Sequence, residues 1–400
     1  MTAFDRDPAW LVGRQAECAR IERLLGDACA GSSGALVLTG DPGIGKSALC
    51  AWAQTRAGGM RVLTASGVES EADLPFGGLA ELCAGVLDRV GSLPEPQAQA
   101  LEGALARRAA PSGDRFAIGA ALLGLLGIAA ERDAVLVVVD DAQWLDASST
   151  EALLFAARRL SREGVAVLVA TRPGAVLDTE HSGLPGIALR GLDQTAAHAL
   201  LRTVHGELPR DVARLLADSS HGNPLALLEV PRLMTEAQRA GRQPIEEPLP
   251  VGPTLVRALL HRLSGMSEEP RRALLVAAAS GAERVQPVVD ALTVLELDRS
   301  VLDAAEEAGV LAITGERFEF RHPLLRSAIY HGAPAPARRA AHRALAEFTR
   351  GAARAWHVAD YTVGEDEAVA AMLEDVGRAA RRRGGSRRRG AGAGARGPSV

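Results

Sequence analysis

The pattern GDPGIGKS at residues 40–47 constrains the fold of this 400-residue chain more than any other feature. It fits the phosphate-cradling motif GxxxxGK[ST] at every fixed position, and its Lys46 is the only lysine among 45 basic residues. An apolar run at 35–39 precedes it, and good helix-forming sequence at 47–53 follows. The alternative is a chance match in a glycine-rich chain. The order strand, glycine loop, helix favours a true phosphate-binding loop.

Short apolar runs alternate with helical stretches through residues 1–190, which predicts a parallel sheet wrapped by helices. The predicted strands lie at 35–39, 61–65, 135–139, 165–170 and 187–189. The predicted helices of the long crossover at 66–134 lie near 77–90, 97–109 and 115–131. The predicted fold class is an α/β P-loop NTPase, with its nucleotide-binding domain at 1–190.

The second half of the chain is predicted to be mainly helical. A proline and glycine cluster at 241–253 indicates a linker. Beyond it, about four helices precede a hairpin with strands at 310–313 and 317–320, which fits a winged-helix module. The predicted segments after the first domain are a helical lid (191–245), a winged-helix module (254–332), the start of a helical repeat (335–382) and a disordered Arg/Gly tail (383–400).

The arginine-rich tail has two interpretations. It is a nucleic-acid-binding arm, or it is a disordered segment without a role, including an out-of-frame reading of GC-rich sequence. The net charge of −4 argues against a whole-chain nucleic-acid binder. The acids on a predicted helix at 298–308 would also repel phosphate. We therefore expect no direct DNA binding.

The four cysteines form no metal-binding spacing and are expected to be small buried apolar residues in a reducing compartment. They are Cys18, Cys29, Cys50 and Cys83. The first residues lack the pattern of a signal peptide, and the apolar runs are too short to cross a bilayer. We expect a cytoplasmic protein without a membrane segment.

Two aspartates follow the buried run at 135–139, where the carboxyl edge of a parallel sheet opens to ligand. Asp140 is expected to meet a Mg²⁺ ion together with the Ser47 hydroxyl. Asp141 is placed to orient or deprotonate an attacking water, and its alternative role is a helix N-cap. Asp146 or Ser148 is the better candidate cap for a predicted helix at 149–160.

Arg172 follows the predicted strand at 165–170 and would lie at the same sheet edge. It could sense the terminal phosphate and stabilise charge in the transition state. A solvated arginine without a role is the alternative.

The chain carries the motifs LVGRQAE (11–17), LPFGGL (74–79), DDAQWLD (140–146), GNPLAL (222–227) and FRHPLL (320–325). Together these motifs resemble the ATPase half of large LuxR-type bacterial transcriptional regulators. The first of them also resembles a box of origin-recognition AAA modules and STAND signalling ATPases. Family members usually continue into a C-terminal helix-turn-helix, so the resemblance implies a regulator truncated before its DNA-binding domain.

The resemblance implies that Val12 and Gly13 lie against adenine and that Pro224 touches the base. It implies that His322 contacts the β-phosphate of ADP, although Pro323 replaces the usual following acid. A structural histidine at a hairpin-to-helix joint is the alternative for His322.

The cofactors expected from loop and resemblance together are ATP or ADP with Mg²⁺. The loop is expected to cradle the phosphates through Gly40, Asp41, Pro42, Gly43, Ile44, Gly45, Lys46 and Ser47. The expected function is a slowly hydrolysing ATPase switch in which Lys46, Asp141 and Arg172 are catalytic. An inducer or protein partner on the helical C-terminal part, and self-association, are further expectations. The alternative is a nucleotide-independent scaffold that binds a protein partner.

Overall fold

The computed structural model describes residues 11–107, 114–260, 263, 265–281 and 284–382. The expectations for the first ten residues, for the end of the predicted helix at 97–109 and for the Arg/Gly tail lie outside this part. The chain divides into two compact units, which meet in sequence at Gly191 and Leu192. None of the helices in the described part is long and apolar enough to cross a membrane.

The first unit is built on a five-stranded parallel sheet with the strand order β2-β3-β4-β1-β5. Its strands are β1 (Gly34–Thr39), β2 (Arg61–Ser66), β3 (Val135–Asp140), β4 (Val165–Thr171) and β5 (Gly186–Ala188). Each begins and ends within one residue of the predicted position. The parallel α/β sheet predicted from the sequence is therefore confirmed.

Helices cover both faces of this sheet. They are α1 (Gln15–Cys29), α2 (Lys46–Arg56), α3 (Gly77–Cys83), α4 (Glu95–Ala104), α5 (Arg115–Ala129), α6 (Ala147–Ala157) and α7 (Thr179–Ser182). Alternate residues of β3 enter two separate cores, with Val137 on the face of α5 and α6 and Leu136 on the face of α1 and α2. Because both faces are buried, the central strands are continuous apolar runs.

The predicted helix at 77–90 is wrong in its second half. The α-helix ends at Cys83 and continues as a tighter 3₁₀ segment over Ala84–Ser92. Gly85 and Gly91 fall in this segment, and glycine is a weak helix former. The cysteine expectation also fails in part, because Cys29 is exposed while Cys50 and Cys83 are buried.

The second unit is helical apart from one hairpin among its described residues. Its elements begin with α8 (Gln194–His205), α9 (Arg210–Ser220), α10 (Pro224–Leu233), α11 (Glu236–Arg239), α12 (Pro253–Leu260), α13 (Glu268–Ala279), α14 (Val285–Val294) and α15 (Val301–Glu307). They continue with β6 (Leu311–Thr314), β7 (Arg317–Phe320), α16 (Pro323–Gly332), α17 (Ala335–Phe348), α18 (Gly351–Tyr361) and α19 (Glu367–Arg382).

The hairpin is tighter than predicted, since Thr314 pairs with Arg317 and only Gly315 and Glu316 form the turn. Gly315 takes a positive φ of 62° there, which glycine adopts without strain. The acidic helix predicted from residue 298 begins at Val301, because the Asp298 carboxylate accepts the N–H of Ser300 and holds a turn before it.

Candidate active site

The glycine loop joins the carboxyl end of β1 to α2, whose first residue is Lys46. Gly43 and Gly45 adopt positive φ angles of 76° and 107°, which side-chain-bearing residues rarely accept. A Cβ on Gly40 would lie 2.9 Å from the Ile44 side chain and 3.0 Å from the carbonyl oxygen of Leu189. The glycines therefore fit the turn and the close packing of the loop, which we call the P-loop (residues 40–47).

The Lys46 side chain is buried inside this loop with 6% of its surface exposed. Its ammonium donates to the carbonyl oxygens of Gly40 at 2.8 Å and Asp41 at 3.1 Å. Burial lowers the pKa of Lys46, the Asp141 carboxylate opposes this effect, and the Arg172 guanidinium reinforces it. Lys46, Asp141 and Arg172, the three residues predicted to be catalytic, therefore lie close enough to influence one another electrostatically.

Asp140 ends β3 and forms a pair with Ser47 of the P-loop, which hydrogen-bonds to its carboxylate. Burial raises the pKa of Asp140, and the hydrogen bonds from Ser47 and from the backbone N–H of Asp141 (2.8 Å) oppose the rise. One hydroxyl and one carboxylate are the donors with which such sites hold Mg²⁺ beside phosphates. The described residues contain no metal-binding group of three or more His, Cys, Asp or Glu side chains. A Mg²⁺ ion here would take its other ligands from phosphate and water, so this donor set fits the ion in a nucleotide complex.

Asp141 turns the chain directly after β3 in the left-handed region, with φ 45°. Its carboxylate accepts the side-chain N–H of Gln143 at 2.8 Å and caps no helix. The cap of α6 is Asp146, whose carboxylate accepts the N–H of Ser149 at 2.9 Å. Asp141 therefore occupies the N-cap position of the short 3₁₀ turn Ala142–Trp144 without a capping bond from its side chain, and its catalytic role stays a prediction.

Arg172 follows β4, which lies between β3 and β1 in the sheet. Its guanidinium stacks over the Trp144 ring at 5.4 Å, and its charge acts on Lys46. The alternative of a freely solvated arginine does not agree with this stacking.

Arg14 is a residue whose role the sequence did not reveal. Its buried guanidinium donates to the carbonyl oxygens of Ile44 in the P-loop at 3.0 Å and Arg190 at 2.7 Å, and pairs with Glu17. It therefore ties the P-loop to the chain beyond β5. The neighbouring Val12 is partly buried and Gly13 is exposed with φ 76°. Their predicted contact with adenine stays a prediction.

Gly67 is a second residue that sequence reasoning missed. Its N–H donates to the carbonyl oxygen of Asp140 at 2.9 Å, and a Cβ there would collide with the carbonyl oxygen of Asp141. Its only sequence signal is a glycine shortly after the predicted strand at 61–65. Only glycine fits beside the paired aspartates.

The two remaining predicted residues lie in the second unit. Pro224 is the first residue of α10, which Asn223 caps through its side-chain oxygen on the N–H of Ala226. His322 caps α16, with its Nδ1 accepting the N–H of Leu324 at 3.1 Å. The capping bond supports the structural alternative for His322, and a nucleotide contact of either residue stays a prediction.

Residues 11–169 match the family model of the AAA ATPase domain. Over 86% of its length the chain is 25% identical to an uncharacterized protein of Rhizobium meliloti strain 1021. The matched region spans 37% of that protein.

Three of the similar solved structures come from archaea. The Walker-type ATPase of Pyrococcus abyssi is 16% identical, with a TM-score of 0.47 over 80% of this chain and 95% of that one. The ORC2 protein of Aeropyrum pernix is 16% identical, with a TM-score of 0.48, and the match covers 84% of this chain and 94% of that one. A STAND protein with a tetratricopeptide repeat sensor from Pyrococcus horikoshii is also 16% identical, with a TM-score of 0.36. The match covers 88% of this chain and 49% of that one. Residues 11–169 therefore match the AAA ATPase domain model and contain a P-loop whose Lys46 and Ser47 lie beside the acids that follow β3.

Proposed function

We propose that the protein is a nucleotide-dependent switch that binds ATP with Mg²⁺ and hydrolyses it slowly. One observation carries this proposal. The Lys46 ammonium, the Ser47–Asp140 pair and the Asp141 carboxylate meet at the carboxyl edge of one parallel sheet. Parallel α/β sheets bind ligands at this edge.

Each residue has a distinct role in the proposed reaction. The backbone N–H groups of the P-loop and the Lys46 ammonium hold the β- and γ-phosphates. Ser47 and Asp140 would hold the Mg²⁺, which neutralises charge on the phosphate oxygens when bound. Asp141 orients the attacking water and accepts its proton, and Arg172 stabilises the charge that develops. Hydrolysis is slow because Asp141 is one carbon shorter than the glutamate of faster AAA enzymes.

The regulatory part of the proposal follows from the resemblance to LuxR-type regulators. In this proposal the nucleotide state of the first unit controls a transcriptional response, and an inducer or protein partner acts on the helical second unit. A switch of this kind changes the populations of two states through their different affinities for ATP and ADP. The proposed location is the cytoplasm.

Nucleotide binding to wild type and Lys46→Ala tests the proposal. Wild type should bind fluorescent ATP and ADP analogues with Mg²⁺, and Lys46→Ala should bind each at least about 100-fold more weakly, because it loses the buried charge opposite the phosphates. Arg115→Ala is the matched control, since its side chain is 79% exposed and belongs to the same unit. Equal affinity of wild type and Lys46→Ala would exclude the nucleotide switch.

The scaffold alternative makes a different prediction. A scaffold would bind its protein partner with one affinity whether or not Mg²⁺-nucleotide is present. For the switch we expect the partner's affinity to differ between the ATP-bound and ADP-bound protein.

A further inference from the structure

We propose that Gln143 is a positioning residue for hydrolysis and holds the carboxylate of Asp141 in its working orientation. This inference rests on the proposed function, in which Asp141 receives the proton of the attacking water. Its basis is the hydrogen bond of 2.8 Å from the Gln143 side-chain Nε2 to Asp141 Oδ1. Gln143 lies in the 3₁₀ turn Ala142–Trp144, which follows Asp141 directly.

The backbone of Asp141 is already fixed without the help of this amide. Its N–H donates to Asp140 Oδ1 at 2.8 Å, and its carbonyl oxygen accepts the N–H of Trp144 at 2.9 Å. A second bond, from Leu145 N to the carbonyl of Ala142 at 3.2 Å, completes the turn. The Gln143 amide is therefore not needed to build the turn. Its bond acts on the side-chain torsions of Asp141, which the backbone bonds leave undetermined.

The other half of the amide has no described contact that would orient it. Gln143 Oε1 is buried and has no hydrogen-bond partner within the described residues. The bond from Nε2 to Asp141 Oδ1 is therefore the described hydrogen bond that orients this partly buried side chain.

The consequence for the reaction is geometric. A donor on Oδ1 fixes the plane of the carboxylate and hence the direction from which it can accept a proton. A small error in the position of such a group slows a reaction strongly while substrate binding is unaffected. Gln143 should therefore act on the rate of hydrolysis and not on the affinity for nucleotide.

The test compares Gln143→Leu and Gln143→Glu with wild type in the full chain. Gln143→Leu loses the donor, and Gln143→Glu keeps the shape but replaces the donor with an acceptor. ATP hydrolysis is measured in single turnover with protein in excess, and affinity with a fluorescent ATP analogue. We expect hydrolysis about 10- to 100-fold slower in both variants, with affinity within about 2-fold of wild type. Binding at wild-type affinity shows that a variant is folded. One folded variant of the two is sufficient for the test.

A double variant separates positioning from a merely structural effect. In the Asp141→Asn background, Gln143→Leu should slow hydrolysis no further, because a residue that acts through Asp141 has nothing left to position. Gln99→Leu is the matched control, since its amide donates to the Glu95 carboxylate at 2.9 Å in an exposed hydrogen bond, and it should hydrolyse at the wild-type rate.

Four outcomes would overturn the inference. Wild-type hydrolysis in Gln143→Leu and Gln143→Glu contradicts it, and so does a full additional loss in the double variant. In both cases the proposed ATPase function survives. A wild-type protein that binds no ATP, or binds but never hydrolyses it, overturns the proposed function and this inference with it.

Discussion

At the scale of single residues, two buried histidines of the second unit form an unusual pair. The Nδ1 atoms of His342 on α17 and His357 on α18 lie 3.0 Å apart, and Tyr330 of α16 hydrogen-bonds to the Nε2 of His342 at 2.9 Å. Burial lowers the pKa of both rings to about 4, and for His342 the neighbouring His357 and Arg338 add to the effect. The Oδ2 of Asp360 lies 3.7 Å from the Nδ1 of His342.

This pair predicts that the protein loses stability on mild acidification. In the unfolded chain the rings accept protons near pH 6.5, whereas in the folded protein they do so only near pH 4. Folded-state pKa values below the unfolded ones mean that the full contribution is present above about pH 6.5 and falls progressively toward pH 4. The double variant His342→Leu/His357→Leu should therefore lose less stability than wild type between pH 7 and pH 5.

Urea unfolding followed by circular dichroism at the two pH values checks this prediction. Gln99→Leu is the control, because it replaces an exposed side chain that does not titrate, and it should keep the wild-type pH dependence. Asp146 and Asp178, whose pKa values are lowered, contribute their pH dependence below about pH 4 and do not affect the comparison. An unchanged pH dependence in the double variant would contradict the role of the pair.

At the scale of elements, Asp146 connects two helix starts beside the active site. Its buried carboxylate accepts the N–H of Ser149 in α6 at 2.9 Å and those of Phe76 and Gly78 at the start of α3 at 2.8 and 3.2 Å. Burial alone would raise the pKa of Asp146, but the Ser149 hydroxyl and these N–H groups outweigh burial and lower it. The carboxylate also helps to hold Phe76 in the left-handed region, with φ 63°.

Loss of this double cap should be costly. Asp146→Ala leaves several buried N–H groups without a partner, so we expect a loss of about 2–4 kcal/mol in the free energy of unfolding. Ser148→Ala is the matched control in the same turn and should change stability by less than about 0.5 kcal/mol. Urea unfolding at pH 7 measures both. Equal effects of the two substitutions would show that Asp146 is not the cap on which α3 and α6 depend.

The elements also show which parts of the structure the sequence could predict. The five strands were predictable because strands buried on both faces are continuous apolar runs. The positions of the glycine loop between β1 and α2 and of Asp140 at the end of β3 were predictable, because each directly follows an apolar run. Their roles toward phosphate and Mg²⁺ stay predictions. The contacts of Arg14 and Gln143 were not predictable, because each depends on which atoms the folded chain places nearby. The failure at 84–92 has a local cause, since two glycines weaken an α-helical pattern that the apolar spacing otherwise favours.

At the scale of the whole molecule, the chain consists of two units with different parts of the predicted site. The P-loop, the paired aspartates and Arg172 belong to the first unit. Pro224 and His322 belong to the second, where each begins or caps a helix. The geometry of the first unit carries the nucleotide proposal by itself. The resemblance to regulators adds the prediction that the second unit responds to ADP.

Hydrogen exchange of the full chain, with and without Mg²⁺-nucleotide, tests nucleotide binding by the first unit and the response of the second unit to ADP in one measurement. ATP and ADP should each slow exchange at residues 40–50 and 140–146, because bound phosphates occupy the N–H groups of the P-loop and stabilise the neighbouring acids. The resemblance predicts that ADP also slows exchange at 221–227 and 320–326. The Lys46→Ala protein is the control, and nucleotide should leave all four segments unchanged in it. Protection of the first two segments without the last two would limit the nucleotide's effect to the first unit and contradict the predicted roles of Pro224 and His322.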